Sequence, residues 1–210
     1  MTSQEQVEVL AEYVREKIGD APTEWPGGWP DDIEAALIDA VFSVRARYGS
    51  RVEGKETGVY GAVTRWRDHR GGTADDLEVL SETDAEELRK HTNKGRSSRR
   101  SKAEIVIDAA RALRDAGIRH ASDFGPRQEE ARRAYLSVRG CGHVTWNYFR
   151  MLLGYDDVKP DTWVMKFVQD VLPDVNDREE AKKLVVAVSE RLGVEAKRLD
   201  HAIWRYRRGV

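Results

Sequence analysis

The run Leu136-Ser-Val-Arg-Gly-Cys-Gly-His-Val-Thr-Trp-Asn147 places two glycines one residue apart, just ahead of residues able to start a helix. Gly140 and Gly142 carry no Cβ and can take positive φ, so the chain can turn tightly and bring its backbone close to a ligand. Their N–H groups, with the first turn of a helix from His143, would form a small anion site suited to a phosphate. The expected phosphate contacts are Gly140 and Gly142 with Arg139, His143 and Thr145 nearby. An ordinary helix–helix turn is the plainer reading of Gly-Cys-Gly. About twenty residues further on, Lys159-Pro-Asp-Thr-Trp-Val164 puts one acid, Asp161, in the first turn of the next helix. An Asp after Pro at a helix start is commonly an N-cap. The same carboxylate, held beside a reacting group, can stabilise developing positive charge and help activate water. Asp161 can serve both purposes.

The elements that must position these residues read as helical nearly throughout. Val7, Leu10, Val14 and Ile18 have the spacing of an amphipathic helix over 4–18. A turn-rich loop follows through Pro30, and Asp31 or Asp32 starts a long helix to about Tyr48. A short helix fits Val59 to Trp66, and two more fit Ala74–Leu80 and Asp84–His91, started by Thr73 and Thr83. Residues 93–101 form a basic linker into a strong helix from Lys102 to Ala116. Helices over 127–138 and 143–153 flank the glycine turn, and 161–171, 178–192 and 195–207 complete the set. No stretch shows sustained β alternation, so the fold class is all-α.

Composition sets bounds on partners. The chain has 210 residues, 34% of them charged and 40% hydrophobic, enough for a real core. No apolar run approaches the roughly 18 residues of a membrane span, and the polar N-terminus does not resemble a secretory signal. One cysteine, Cys141, excludes an internal disulfide and a four-cysteine metal or iron–sulfur site, so a cytoplasmic setting is expected. His143 has no partner at metal-ligand spacing, so neither a metal nor a cofactor is expected. The net charge of −2 conceals strong asymmetry. Residues 1–88 hold 9 Lys/Arg and 20 Asp/Glu, whereas residues 89–150 hold 15 and 6. The glycine hairpin lies inside that basic block. Charged runs are usually solvated helix faces. Here Arg99, Arg100 and Lys102 are read as a surface facing a polyanion.

The hairpin followed at this distance by a helix-starting Asp resembles the helix-hairpin-helix (HhH-GPD) superfamily of DNA base-excision glycosylases. Residues 35–47 resemble the family's early helix, which ends near the residue that wedges into the duplex. Residues 101–113 are similar to its lysine–alanine helix, and Leu199-Asp-His-Ala-Ile-Trp-Arg-Tyr206 to its closing helix. The resemblance implies one glycosylase unit over 1–210, with two helical lobes and an interlobe active-site cleft. One lobe would comprise about 1–30 and 155–210, the other about 31–154 with the helix-hairpin-helix at 127–153. It further implies a monomer that acts on double-stranded DNA, flips a base out and breaks its N-glycosidic bond, with Asp161 stabilising the oxocarbenium-like sugar. Members that also cut the strand carry a Schiff-base lysine at the second residue past the hairpin. Val144 stands there, so a monofunctional enzyme without an iron–sulfur cluster is implied. A flipped base must be restacked on aromatic side chains. Trp163, Trp146 and Trp29 are the pocket candidates, although core packing is the usual fate of a tryptophan. Arg45 matches the wedge region, although an exposed helix-surface arginine reads equally well. Repair of damaged bases and defence against phage DNA with modified cytosines are both open roles. A non-catalytic helix-hairpin-helix DNA-binding protein is the alternative, as is an all-α interaction protein using the acidic half.

Overall fold

A computed structural model describes residues 3–20, 22–97 and 99–209. Among the described residues the fold is all-α apart from one minimal strand pair. In order the elements are α1 (Gln4–Lys17), α2 (Ile33–Phe42), α3 (Gly58–His69), α4 (Leu77–Glu82) and α5 (Ala85–His91). Then come β1 (Arg96–Ser97), β2 (Arg100–Ser101), α6 (Lys102–Asp115), α7 (Ala121–Phe124), α8 (Gln128–Ser137) and α9 (His143–Leu152). The chain closes with α10 (Thr162–Gln169), α11 (Arg178–Leu192) and α12 (Ala196–Arg208). No helix among the described residues is long and apolar enough to cross a membrane.

Two compact units result. The first joins residues 1–27 to 155–210 and contains α1 and α10–α12. Its core is built from apolar stripes at helical spacing: Leu10 and Val14 of α1, Val164 and Phe167 of α10, Leu184 and Val188 of α11, and Leu199 and Ile203 of α12. Ser3 and Gln6 form a reciprocal capping box at the start of α1. The second unit spans residues 28–154 and packs α2–α9 around α2, all ten residues of which are buried. A helix buried on every side must satisfy its polar residues internally. Glu34, fully buried, accepts from the Trp66 indole at 2.8 Å, Arg70 at 3.1 Å and the Asp76 N–H at 3.1 Å.

The two short helices expected to start at Thr73 and Thr83 are capped by Asp76 and Asp84 instead, whose carboxylates accept first-turn N–H groups, and the first of them runs from Leu77 to Glu82. Two further expectations from sequence need correction. The helix beginning near Asp31 stops at Phe42 rather than running to Tyr48. Lys102 closes the helix end at that point. Its ammonium donates to the carbonyls of Phe42 (2.8 Å) and Val44 (2.7 Å), capping the end of α2. Arg45 then turns into left-handed backbone at φ 51°. Lys102 is only 5% exposed, so it is a buried clamp and not part of a basic surface. Burial lowers its pKa from the ordinary lysine value. The second correction concerns the basic linker, which contains the β1–β2 hairpin, with Arg96 opposite Ser101 and Ser97 opposite Arg100.

Lys102→Met keeps the aliphatic stem but leaves the buried Phe42 carbonyl and the half-buried Val44 carbonyl without their donor. It should cost about 1–3 kcal/mol of folding stability. A urea titration should show a lower midpoint with an unchanged slope. An unchanged midpoint would mean that the clamp contributes nothing.

Candidate functional site

In the second unit, α8 and α9 are joined by the Gly-Cys-Gly turn. Gly140 adopts φ 113°, and a Cβ there would lie 2.6 Å from the Ile105 side chain, so only glycine fits. Gly142 behaves differently. It is extended (φ −155°, ψ 174°) and is the N-cap of α9, with open space where a Cβ would be. Thr145 completes the cap. Its hydroxyl accepts from the Gly142 N–H (3.1 Å) and donates to the Gly142 carbonyl (2.9 Å). Thr145 is therefore a buried capping residue, and the Gly142 N–H is already used. The first-turn N–H groups of α9 from His143 onward remain outside the helical ladder, which begins with Trp146 N–H to Gly142 O. Arg139 and His143 are exposed on either side. Cys141 lies inward, and burial pushes its thiol up to about 12, so it is a poor nucleophile at neutral pH.

The basic hairpin is tied to this turn. Arg100 donates to the Arg139 carbonyl at 3.2 Å and pairs with Asp108 at 2.5 Å. Its charge is thereby partly spent on holding β2 against α6 and the glycine turn. Arg99 is exposed at φ 66° in the hairpin loop, where its charge faces solvent. Of the three cations expected on one surface, Arg99 is the exposed one, Arg100 is half-buried, and Lys102 is inside.

The aromatic candidates separate equally clearly. Trp146 is 3% exposed and packs on Phe124, Tyr135 and Phe149 at centroid distances of 5.5–6.2 Å. It is a core residue that fixes α9 against α7 and α8, which corrects its placement in a pocket. Trp29 is half-buried in a cluster that the sequence reading did not assemble. Its indole donates to Asp39 at 2.9 Å, as does the Tyr48 hydroxyl, and its ring stacks on Tyr60 at 5.7 Å. Arg51 lies 4.9 Å over the Tyr60 ring and Arg67 5.1 Å over Trp29. Asp39 is fully buried on α2, and burial with its negative charge raises the Tyr48 hydroxyl pKa. Arg45 is exposed just past α2, in a backbone region that costs a non-glycine residue on the order of 1 kcal/mol.

In the first unit, Asp161 is the N-cap of α10, as its position after Pro160 predicts. One carboxylate oxygen, Oδ1, accepts from the N–H groups of Trp163 (2.7 Å) and Val164 (3.3 Å). Both cap bonds fall on that oxygen, which leaves Oδ2 outside the cap. The turn carrying Asp161 is gripped on both flanks. Asp200 of α12 accepts from the Lys159 N–H at 2.9 Å, and Arg178 of α11 donates to the Pro160 carbonyl. Asp157, 3% exposed, is paired with Lys182 at 2.6 Å. Asp200 itself is 8% exposed. Burial, and then the charge of Asp161, raise its pKa well above the usual carboxylate range. Trp163 is half-buried with the Lys166 ammonium 5.7 Å from its ring centre.

Asp200 lies in the segment that resembles the closing helix, where the resemblance assigns it no role. A signal was present: it takes an apolar-stripe slot, four residues after Ala196 and three before Ile203, both buried. A carboxylate in such a slot needs a partner.

The same architecture occurs in solved structures. MBOgg1 in complex with a low-affinity DNA ligand aligns with a TM-score of 0.57 at 17% identity, over 96% of this chain and 66% of that one. The Clostridium acetobutylicum 8-oxoguanine glycosylase/lyase, in complex with double-stranded DNA bearing cytosine opposite 8-oxoguanine, aligns with a TM-score of 0.53 at 13% identity. That match covers 97% of this chain and 67% of its neighbour. This chain thus has the fold of these DNA glycosylases while spanning about two thirds of their length. No curated protein sequence matches it. A family profile matches residues 8–208, and the chain belongs to that family, described as a domain of unknown function (DUF8548).

Proposed function

We propose that this chain is a monofunctional DNA glycosylase that removes a damaged or modified base from duplex DNA. The observation that carries the reading is Asp161: a carboxylate with one oxygen fixed by its helix cap, on a turn braced by Asp200 and Arg178. The glycine turn supports it with first-turn N–H groups able to grip a phosphate. In the reaction the C1′–N bond breaks, and its electron pair leaves with the base. Asp161 stabilises the resulting oxocarbenium-like sugar. Water then adds to C1′ and gives its proton to the carboxylate, leaving an abasic site. Val144 supplies no amine at the hairpin, so C1′ is captured by water and no Schiff base forms. The half-buried group around Trp29, Tyr48 and Tyr60 offers aromatic faces for a flipped base.

The direct test incubates the purified protein with duplexes carrying different damaged or modified bases, followed by alkali. Strand breaks should appear only after alkali, and borohydride should trap no covalent adduct. Binding without excision on every duplex would support the non-catalytic alternative.

Affinity for duplex should fall with salt by roughly 0.9 log unit per log salt for each phosphate neutralised. Arg99→Glu should weaken binding to any sequence and reduce that slope by about one. A slope unchanged in Arg99→Glu would remove the β1–β2 hairpin from the DNA face. Arg100 is a poorer probe, because reversing it also breaks its bonds to Asp108 and Arg139.

A further inference from the structure

His69 is the last residue of α3, His91 the last of α5, and Glu87 lies one turn before His91. Arg65 draws the two helix ends together, donating to the His91 carbonyl (3.1 Å) and the Thr92 carbonyl (2.9 Å). The imidazoles stack at 3.8 Å between centroids, inclined by 20°. One ligand atom from each of the three residues lies within 4.8 Å of the others. Glu87 Oε1 is 3.1 Å from His91 Nε2 and 4.0 Å from His69 Nε2. Tetrahedral zinc with bonds of 2.0–2.2 Å holds its ligand atoms about 3.3–3.5 Å apart. Closing the three ligand atoms to that spacing, with rotation of one of the two stacked imidazoles so that both in-plane lone pairs meet at one point, would give that geometry, and all three side chains are partly exposed.

An ion pair alone explains this arrangement poorly. The Lys90 ammonium holds Glu87 Oε2 at 2.7 Å, so both imidazoles converge on the remaining oxygen. The C-terminal ends of α3 and α5 also meet here, and their dipoles favour a cation. A divalent ion suits both the convergence of the three ligand atoms and the two helix ends. Two imidazole nitrogens with one carboxylate suit zinc and disfavour calcium or magnesium, which take oxygen.

We propose that His69, Glu87 and His91 bind one Zn²⁺, with water completing the coordination, and that the ion staples α3 to α5 just ahead of the basic β1–β2 hairpin. The site is independent of the glycosylase reading. Its sequence trace was Glu87-x-x-x-His91, an i,i+4 pair on one helix face, completed by a histidine 18 residues before Glu87.

The test uses untagged, chelator-washed protein titrated with ZnCl₂ against a chromophoric chelator, with thermal unfolding in parallel. One Zn²⁺ per chain and a Tm that rises with free Zn²⁺ are expected. His69→Ala and His91→Ala should each weaken binding at least about tenfold, since even changes around a ligand cost about 10–100-fold. Glu87→Gln, which retains hydrogen bonding to His91, should weaken it less, and His201→Ala should bind as wild type. If either histidine variant folds poorly, NMR of the wild-type imidazole nitrogens decides: zinc should shift the resonances of two of the five histidines. No saturable site, wild-type affinity in both histidine variants, or shifts at other histidines would each overturn the proposal.

Discussion

Asp161→Asn should lose on the order of 10²–10³ in excision rate, the usual cost of removing one preorganised electrostatic group. The substitution isolates charge from structure. Asn caps a helix about as well as Asp, so the bonds to the Trp163 and Val164 N–H groups can persist through its side-chain oxygen. Folding stability should stay close to wild type, which a denaturant midpoint would verify. Affinity for the damaged duplex should be retained or should tighten, because a carboxylate beside DNA phosphates is repulsive in the ground state. Single-turnover excision and equilibrium binding, measured on the same duplex, separate these effects. Full activity in Asp161→Asn would return the residue to a helix cap alone, and a borohydride-trapped adduct in the wild type would require an amine elsewhere in the chain.

Asp200 should prove a positioning residue whose two replacements behave oppositely. Asp200→Ala removes the acceptor for the Lys159 N–H and should cost about 1–3 kcal/mol of stability. It also frees one flank of the turn that presents Asp161, and a misplacement of about 1 Å can cost on the order of 10²-fold in rate. The loss should fall in kcat with KM little changed. Asp200→Asn keeps an oxygen for Lys159 and should recover most of the rate at neutral pH.

The pH dependence tests the same residue through a different property. The groups around Asp200 are the carboxylates of Asp161 and Asp157, which hold its proton on, and Lys159, which opposes them. A carboxyl whose folded pKa is raised binds its proton more tightly in the native state than in the unfolded chain. Its stabilising contribution is present in full below the unfolded value, near 3.9, and declines as pH rises toward the folded pKa. Asp200→Asn lacks this titration. Its stability relative to wild type should therefore grow with pH above about 4. Parallel pH profiles for the two proteins would show that Asp200 is ionised in the native state, and would confine its role to the hydrogen bond.

Periodicity and end signals acted over short distances, and there the sequence was sufficient. The helices over 102–115, 128–137, 143–152 and 178–192 lie within about two residues of their expected bounds. The Gly-Cys-Gly turn and the N-cap position of Asp161 were legible for the same reason: a turn or a cap depends on residues three or four apart. What lay beyond reach involved partners far along the chain. Lys102 looked like one more surface cation until its ammonium met the end of α2, 60 residues away. Trp146 and Trp29 were equivalent in sequence, yet packing put one among Phe124, Tyr135 and Phe149 and the other on Asp39. Asp200 acquired its partner across 41 residues, and His69 met His91 only because α3 and α5 end side by side. Sequence by itself determined which segments are helical and which residue types stand at their ends. The tertiary structure decided which side chains are desolvated and paired, because burial and long-range electrostatics exist only once the helices have packed.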